Sequence, residues 1–205
     1  MSLRLFGHLT MVALVSVFAW ASAPLAVANS DAEAFTQRVI DGGLKILRDG
    51  GSGKNSQFHD YILKYADASK AALFTLGPYR RGADKNDLES FTEAYQEFQF
   101  ALYARSLDKY KNMSLKVTGS LDNKPGDVTV NTVVQDDSGR TDKGLRVSFR
   151  MFGEGSTYKF TDVQIEGAWI SQSQLEQFRA ILNRNGGNIS DLTQEIKNRT
   201  EHMND

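Results

Sequence analysis

The chain has 205 residues, with 24 Lys and Arg against 25 Asp and Glu, three His and no Cys. The lack of Cys excludes thiol nucleophiles, Cys-ligated zinc and iron–sulfur clusters, and three His disfavour a His-rich metal site. A formal net charge of −1 gives no overall field that would attract a nucleic acid, so we predict no nucleic-acid partner.

Residues 1–28 have the pattern of a secretory signal peptide. The apolar run from Leu9 to Trp20 is too short to cross a bilayer as a helix. The small residues of Ala26-Val27-Ala28 follow it at the spacing of a cleavage site, so we predict cleavage after Ala28 and export to the periplasm. An uncleaved N-terminal anchor is the alternative. Residues 29–205 are predicted to form one domain.

Helical periodicity dominates the first half of the exported chain. Apolar residues recur every three or four positions in 31–49, in 56–77 with a break near Ala66–Ser69, and in 87–110. Ser56 and Asp87 are the predicted N-caps of the second and third helices. The third helix is about 34 Å long by its residue count and is rich in aromatic side chains.

After Asn112 the period of the apolar residues changes to two, which predicts strands. The alternating positions are Leu115 and Val117; Val128, Val130, Thr132 and Val134; Leu145, Val147, Phe149 and Met151; and, after a change of phase, Val163 and Ile165. That change of phase predicts a bulge near Thr161-Asp162. Ser171 and Ser190 are predicted to begin two C-terminal helices, separated by a stop at Gly186-Gly187. The fold class is therefore α+β, with four or five antiparallel strands, and we expect the aromatic helix to cover their apolar face.

The polar residues form no catalytic pattern. His59 is the only His of the exported chain outside the C-terminal tail, and no Ser lies in a Gly-x-Ser-x-Gly elbow. Asp162 and Glu166 lie about 13 Å apart along an extended strand, too far to act as a pair. The Gly-rich run from Gly50 to Lys54 lacks the first Gly and the final Ser or Thr of a phosphate-binding loop. We predict neither an enzyme nor a metal site.

Several segments, taken in order, resemble the MlaC family, also called the toluene-tolerance family. They are Phe74–Arg81, Leu88–Tyr110, Gly139-Arg140, Tyr158–Gly167, Ser171–Phe178 and Ile189–Ile196. The resemblance covers roughly residues 33–200 and implies a strongly curved, cone-like sheet of the nuclear-transport-factor-like kind, covered by helices around a lipid cavity. Departures at Pro78, Ala168-Trp169 and Glu176 leave the branch of the family open, including its hopanoid-associated branch.

The resemblance implies a monomeric periplasmic carrier whose cavity holds the acyl chains of a phospholipid, with no cofactor other than this cargo. Such a carrier shuttles lipid between an outer-membrane lipoprotein–porin complex and an inner-membrane ABC transporter with an MCE-type subunit. Three alternatives stay open: a carrier of hopanoid or another hydrophobic lipid, a periplasmic adaptor with a filled core, and an enzyme with a polar dyad inside its cone. For such a dyad the strand alternation places only Thr132 and Asp162 near the interior.

The predicted cavity lining follows from the apolar faces of the helices and strands. It consists of Leu73, Leu76, Phe91, Tyr95, Phe98, Leu102, Val130, Val134, Val147, Phe149, Phe160, Val163, Ile165, Trp169 and Phe178. The predicted cationic and polar rim for a headgroup consists of Tyr79, Arg80, Arg81 and Arg146. An ordinary packed core made of the same apolar residues is the alternative interpretation.

Overall fold

The computed structural model describes residues 28–107, 113–136 and 144–204. Within these residues the chain forms six α-helices: α1 (Ser30–Asp49), α2 (Lys54–Tyr65), α3 (Ser69–Thr75), α4 (Lys85–Leu107), α5 (Ile170–Arg184) and α6 (Ile189–Asn204). The same residues form five β-strands: β1 (Met113–Lys124), β2 (Asp127–Asp136), β3 (Arg146–Phe152), β4 (Lys159–Ile165) and β5 (Ala168–Trp169). No helix in the described ranges is long and apolar enough to cross a membrane. The predicted signal peptide, apart from Ala28, lies outside the described residues.

The five strands form one antiparallel sheet in the order β1-β2-β3-β4-β5, which confirms the predicted α+β class. Val130 pairs with Phe149, and Phe149 pairs with Val163, so the alternating apolar residues share one face of the sheet. Between β3 and β4 the register skips Thr161, since Arg150 pairs with Asp162 whereas Met151 pairs with Phe160. The predicted bulge is therefore confirmed, and it explains the change of phase in the sequence.

Helices α1 and α2, rather than the aromatic helix α4, cover the apolar face of the sheet. Phe35 and Val39 of α1 pack against Val128, Val130 and Met151 in one buried cluster. The expectation that α4 covers this face is wrong, because most of its aromatic stripe is buried against α3, α5 and α6. The spacing of apolar residues shows that one face of a helix is buried, but it does not identify the element that packs against that face. Helices α5 and α6 present apolar stripes of their own, and α4 packs against them.

The helix boundaries differ from the predicted caps at two places. Helix α4 begins at Lys85 because the carboxylate of Asp84 accepts a hydrogen bond from the Asn86 N–H at 2.7 Å, whereas Asp87 lies in the first turn. Helix α2 begins at Lys54, so Ser56 lies inside it. The break between α2 and α3 and the stop at Gly186-Gly187, where both glycines have positive φ, are confirmed. The predicted end of the aromatic helix at Tyr110 lies outside the described residues.

Gln37 of α1 fixes the helix to the outer edge of the sheet. Its side-chain Nε2 donates to the Leu115 carbonyl at 2.9 Å, and its Oε1 accepts from the Val117 N–H at 2.9 Å. The amide thus takes the place of a neighbouring strand and satisfies backbone groups at an open edge. This contact holds α1 beside Leu115, which contributes to the cavity described below.

An ion pair joins Asp127, the first residue of β2, to Arg150 of β3. Arg150 donates from Nε to Oδ1 of Asp127 at 3.0 Å and from Nη2 to Oδ2 at 2.7 Å, and the Asn123 side-chain amide adds a third bond to Oδ1 at 3.1 Å. Asp127 is buried and Arg150 is half-exposed. Although burial by itself would raise the pKa of Asp127, the hydrogen bonds from Arg150 and Asn123 lower it below its usual value.

We expect Asp127→Asn to lower the free energy of unfolding at pH 7 by about 1–2 kcal/mol, because a bidentate charged contact is lost but its Arg150 side is partly screened by water. Since the folded-state pKa of Asp127 lies below the unfolded one, its contribution is complete above about pH 4 and is lost as the pH falls through the folded-state value. Urea unfolding at several pH values should therefore show the two proteins converging in acid. The exposed Asp122→Asn is the matched control, and a difference for Asp127→Asn that does not change with pH would contradict the assignment.

Candidate functional site

An apolar cavity of about 300 Å³ lies between the sheet and helices α1 and α2. This volume is at the lower end of the range for small-molecule sites. The walls consist only of aliphatic and aromatic residues: Val39, Ile40, Leu44 and Leu47 from α1; Phe58, Tyr61, Ile62 and Tyr65 from α2, with Ala66 after it; Tyr103 from α4; and Leu115, Val134, Leu145, Val147, Phe149, Phe160, Val163 and Ile165 from the strands and the residue before β3. Such a lining favours a hydrocarbon occupant over a polar one.

Two glycines of α1 let α2 approach closely enough to form the wall. A Cβ atom at Gly42 would lie 2.2 Å from the Tyr61 hydroxyl oxygen, and one at Gly43 would lie 3.3 Å from Cε2 of Phe58. The Tyr61 hydroxyl donates to the Val39 carbonyl at 3.0 Å, which fixes the ring beside the cavity. In the sequence, these two glycines only weaken the prediction of a helix. In the structure, their lack of a side chain allows α1 and α2 to pack closely.

The cavity occupies only one end of the interface between the sheet and the helices. At the other end, the Phe35 ring lies 5.6 Å from the ring of Tyr158 and 5.7 Å from that of Phe160, measured between centroids, and fills the space. Val128, Val130 and Met151 are almost completely buried in the same cluster. Toward Val134 and Val147 the side chains do not close on one another, and the cavity begins there.

The structure brings six of the fifteen predicted lining residues to the cavity. They are Val134, Val147, Phe149, Phe160, Val163 and Ile165, all from the sheet. The register explains this result, because Val147 pairs with Ile165 and Phe149 pairs with Val163, so the alternating residues of β3 and β4 face the same space.

The other nine predicted residues do not line the cavity. Leu73, Leu76, Phe91, Tyr95, Phe98, Leu102 and Phe178 pack in the helical cluster of α3 to α6, Val130 is buried in the Phe35 cluster, and Trp169 belongs to the short strand β5. The prediction that these nine residues line the cavity is therefore wrong. For the residues of the helical cluster, the reason is that Phe178 of α5 packs edge-on against the aromatic stripe of α4. Its ring centroid lies 6.1 Å from that of Phe91 and 6.3 Å from that of Tyr95, with interplanar angles of 88° and 86°.

Sequence reasoning missed the helical side of the cavity. The periodic residues of α1, including Leu44 and Leu47, were visible as an apolar stripe but were not assigned to the lining. Tyr103 was also missed, although α4 carries aromatic residues on more than one side. Its Phe100 packs 6.2 Å from Phe58 of α2, between ring centroids, so the last turns of α4 leave the helical cluster and reach the cavity.

None of the predicted rim residues lines the cavity, and Arg146 comes nearest to it along the chain. Because Arg146 pairs with Val133, its side chain leaves the sheet on the face opposite to Val147. Arg146 stands between the lining residues Leu145 and Val147, with its guanidinium exposed and 3.7 Å from the Glu166 carboxylate. Tyr79 instead donates a hydrogen bond to Asn183 and packs on the helical cluster. Arg80 and Arg81 belong to the same 3-10 turn region as Tyr79 and are absent from the cavity lining.

A smaller space of about 70 Å³, here called the side chamber, adjoins the cavity and shares Ile62, Ala66, Tyr103, Phe160 and Val163 with it. Unlike the cavity, it has polar residues in its wall: His59, Gln96, Gln99, Thr161 and Asp162. Burial raises the pKa of the Asp162 carboxyl, even though Ser171 and Val163 donate hydrogen bonds to it.

The polar residues that the sequence offers for catalysis or metal binding have the following surroundings in the structure. Among the described residues no group of three or more His, Asp and Glu is placed to hold a metal ion. His59 contacts Glu97 at 3.2 Å and stacks edge-on against Phe100 with centroids 4.5 Å apart. Thr132 donates its hydroxyl to the Val147 carbonyl at 2.7 Å, so it does not form a dyad with Asp162.

Known proteins match this chain both in family and in fold. A family model described as MlaC protein matches residues 37–198. Among solved structures, a phospholipid-binding protein from Ralstonia solanacearum, determined in complex with a phospholipid, superposes with a TM-score of 0.70 at 22% identity, covering 85% of this chain and 99% of that chain. A search of curated proteins found no match. The superposition shows a shared fold.

We expect Gly42→Ala to lower the free energy of unfolding by about 1–3 kcal/mol, because the added methyl group would displace Tyr61 and break its bond to the Val39 carbonyl. In an unobstructed helix interior the same change stabilises by up to about 1 kcal/mol. Urea unfolding measures the difference. Gly53→Ala is the control, since its Cβ would meet only the flexible Gln57 amide at 3.2 Å. A more stable Gly42→Ala protein would show that the close approach of α2 is not required.

Proposed function

Because the chain belongs to the MlaC family, we propose that it is a periplasmic lipid carrier and that the cavity between the sheet and helices α1 and α2 binds the acyl chains of a phospholipid. The observation that carries this proposal is the cavity itself, whose wall of 18 residues is aliphatic or aromatic throughout. The related fold of the Ralstonia solanacearum protein, solved with a phospholipid, supports the same conclusion.

The energetics of hydrocarbon burial support a role in carriage. Each buried methylene group contributes about 0.8 kcal/mol, so one acyl chain of about fifteen methylenes represents about 12 kcal/mol. A lipid held this way leaves slowly into water. Transfer then depends on contact with a partner that offers another apolar environment, and the carrier itself needs no catalytic group and no cofactor.

For the polar end of the lipid, Arg146 is the cationic contact that we propose. Its side chain leaves the sheet on the face opposite to the cavity, since it pairs with Val133, but Arg146 is the first residue of β3 and follows the lining residue Leu145. From there its long, exposed side chain can reach around the end of the strand to an anionic headgroup, which would not have to be buried. The competing partner is Glu166, whose carboxylate lies 3.7 Å from the guanidinium and also accepts the Arg146 backbone N–H at 2.5 Å.

The family supports the wider assignment: a monomer that shuttles phospholipid between an outer-membrane lipoprotein–porin complex and an inner-membrane ABC transporter with an MCE-type subunit. Export is part of this proposal. Asn29, which would be the first residue after cleavage at Ala28, is bonded to the folded domain: its backbone N–H donates to Ser120 Oγ at 2.7 Å and its side chain accepts from the Ala32 N–H at 3.0 Å. Cleavage there would retain every contact from α1 onward.

We expect Val147→Asp to abolish lipid retention, because a carboxylate in an apolar wall either costs several kcal/mol or stays protonated beside the hydrocarbon. The measurement is organic extraction of the purified protein followed by mass spectrometry, with about one diacyl lipid per chain expected for the wild type. Val133→Asp is the matched control: Val133 lies next to the lining residue Val134 but points to the other face of the sheet.

Urea unfolding checks that both variants are folded. A folded Val147→Asp protein that keeps its lipid would contradict the assignment of the cavity. A wild-type protein with no extractable lipid would favour the adaptor, and a triterpenoid extract would identify hopanoid as the cargo.

Expression of the full chain in a bacterium, followed by cell fractionation and N-terminal sequencing, tests export. We expect a soluble periplasmic protein that begins at Asn29, because the small residues before it fit the cleavage site. A membrane-bound protein that retains residues 1–28 would instead show an uncleaved anchor.

A further inference from the structure

The side chamber differs from the cavity in the chemistry of its wall. The two spaces are direct neighbours, since Tyr103, Phe160 and Val163 line both of them. A volume of about 70 Å³ is small for a phosphate headgroup but sufficient for a few atoms of a lipid substituent. A polar recess beside a hydrocarbon site is costly unless its polar groups are paired, so the partner of each group matters.

Several of these polar groups are satisfied by the protein itself. Gln99, Tyr95 and Gln174 form a closed ring: Gln99 Nε2 donates to the Tyr95 hydroxyl at 3.0 Å, that hydroxyl donates to Gln174 Oε1 at 2.6 Å, and Gln174 Nε2 donates to Gln99 Oε1 at 2.8 Å. The His59 ring Nε2 lies 3.2 Å from both carboxylate oxygens of Glu97. These groups have little bonding capacity left for a ligand.

Tyr103 differs from these groups because it belongs to both spaces. Its ring lines both the cavity and the side chamber, and among the residues that the structure describes its hydroxyl has no hydrogen-bond partner. Burial raises the pKa of this hydroxyl, and the nearby Asp162 raises it further, so it is a neutral donor at every physiological pH. A phenol in such a place ordinarily has a partner.

Asp162 offers the complementary acceptor. Its Oδ1 accepts from the N–H groups of Val163 at 2.9 Å and Ser171 at 3.3 Å, and its Oδ2 accepts from the Ser171 hydroxyl. A carboxylate has about four acceptor positions, so Oδ2 retains one for a further donor on the wall of the side chamber.

We propose that the side chamber binds a hydroxyl group carried by the hydrophobic part of the cargo, which accepts from the Tyr103 hydroxyl and donates to the Asp162 carboxyl. A hydroxyl is the smallest group that both donates and accepts, and it matches this pair of partners. The inference rests on the proposed function, and it makes the protein selective for hydroxylated lipids over their unsubstituted analogues. Tyr103 is then a specificity-determining residue of the cavity.

The experiment compares stearic acid with hydroxystearic acids that carry the hydroxyl at carbon 3, 10 or 12, as competitors of a fluorescent fatty acid on the delipidated protein. We expect at least one hydroxystearic acid to bind about three- to tenfold more tightly than stearic acid, the range for one net hydrogen bond. Tyr103→Phe should abolish this preference, which is measured within each protein as the ratio of the affinities for hydroxystearic acid and stearic acid. Tyr65→Phe, which removes a hydroxyl from the wall of the main cavity alone, should keep the preference.

The wild-type preference is measured without any variant, so the test does not depend on Tyr103→Phe folding. Equal affinities of the wild type for stearic acid and all three hydroxystearic acids would overturn the inference while leaving the carrier function intact. A preference that persists in Tyr103→Phe would overturn the assignment to the side chamber. If the wild type binds neither the fluorescent fatty acid nor its competitors, the proposed function itself fails, and this inference with it.

Discussion

The structure depends on one constraint: the apolar face of the antiparallel sheet must be kept from water, and helices α1 and α2 cover it without filling it. Phe35 and its neighbours close one end of the interface, and the Gly42–Gly43 pair brings α2 close enough to α1 to form a wall at the other. Between the walls, hydrocarbon side chains face a gap of about 300 Å³. An apolar gap of this kind loses packing contacts that a hydrocarbon guest restores, which makes binding favourable.

The helical core and the cavity lie in different parts of the molecule. The helical cluster of α3 to α6 is densely packed, with Phe91, Tyr95 and Phe178 almost completely buried, and it includes a closed ring of buried hydrogen bonds around Tyr95. A cluster like this stabilises the fold whether or not lipid is present. Because this helical core buries much of the apolar surface, the side chains that line the cavity can stay partly exposed. Helix α4 belongs to both regions, with Leu102 packed on the helical cluster and Tyr103 in the wall of the cavity.

Polar groups are kept at the margins of the hydrocarbon space. The Asp127–Arg150 pair lies at the end of the sheet that Phe35 and its neighbours fill, and Asp162 lies in the side chamber rather than in the main wall. Arg146 pairs with Glu166 at the start of β3, on the face of the sheet away from the cavity. Asp127, Arg150 and Asp162 have hydrogen-bond partners from the protein, and the Arg146 guanidinium is exposed to solvent, so none of these charges requires water from the cavity. The interior can therefore stay dry.

The sequence alone determined the elements and the apolar face of the sheet. Strict alternation in β2, β3 and β4 predicted that Val134, Val147, Phe149, Phe160, Val163 and Ile165 share one side, and the change of phase near Thr161 predicted the bulge, because a strand has a fixed period of two. The order of its motifs also indicated the family to which residues 37–198 belong.

Only the tertiary structure decided which helices complete the cavity. The aromatic stripe of α4 and the stripe of α1 are both apolar surfaces of suitable length, and period reports that a face is buried but not what buries it. The choice depended on contacts between residues far apart in sequence: Phe178 against Phe91, Gln37 against the edge of β1, and Tyr61 against Gly42. A cavity is the space that such long-range packing leaves unfilled, and for that reason no local pattern in the chain contains it.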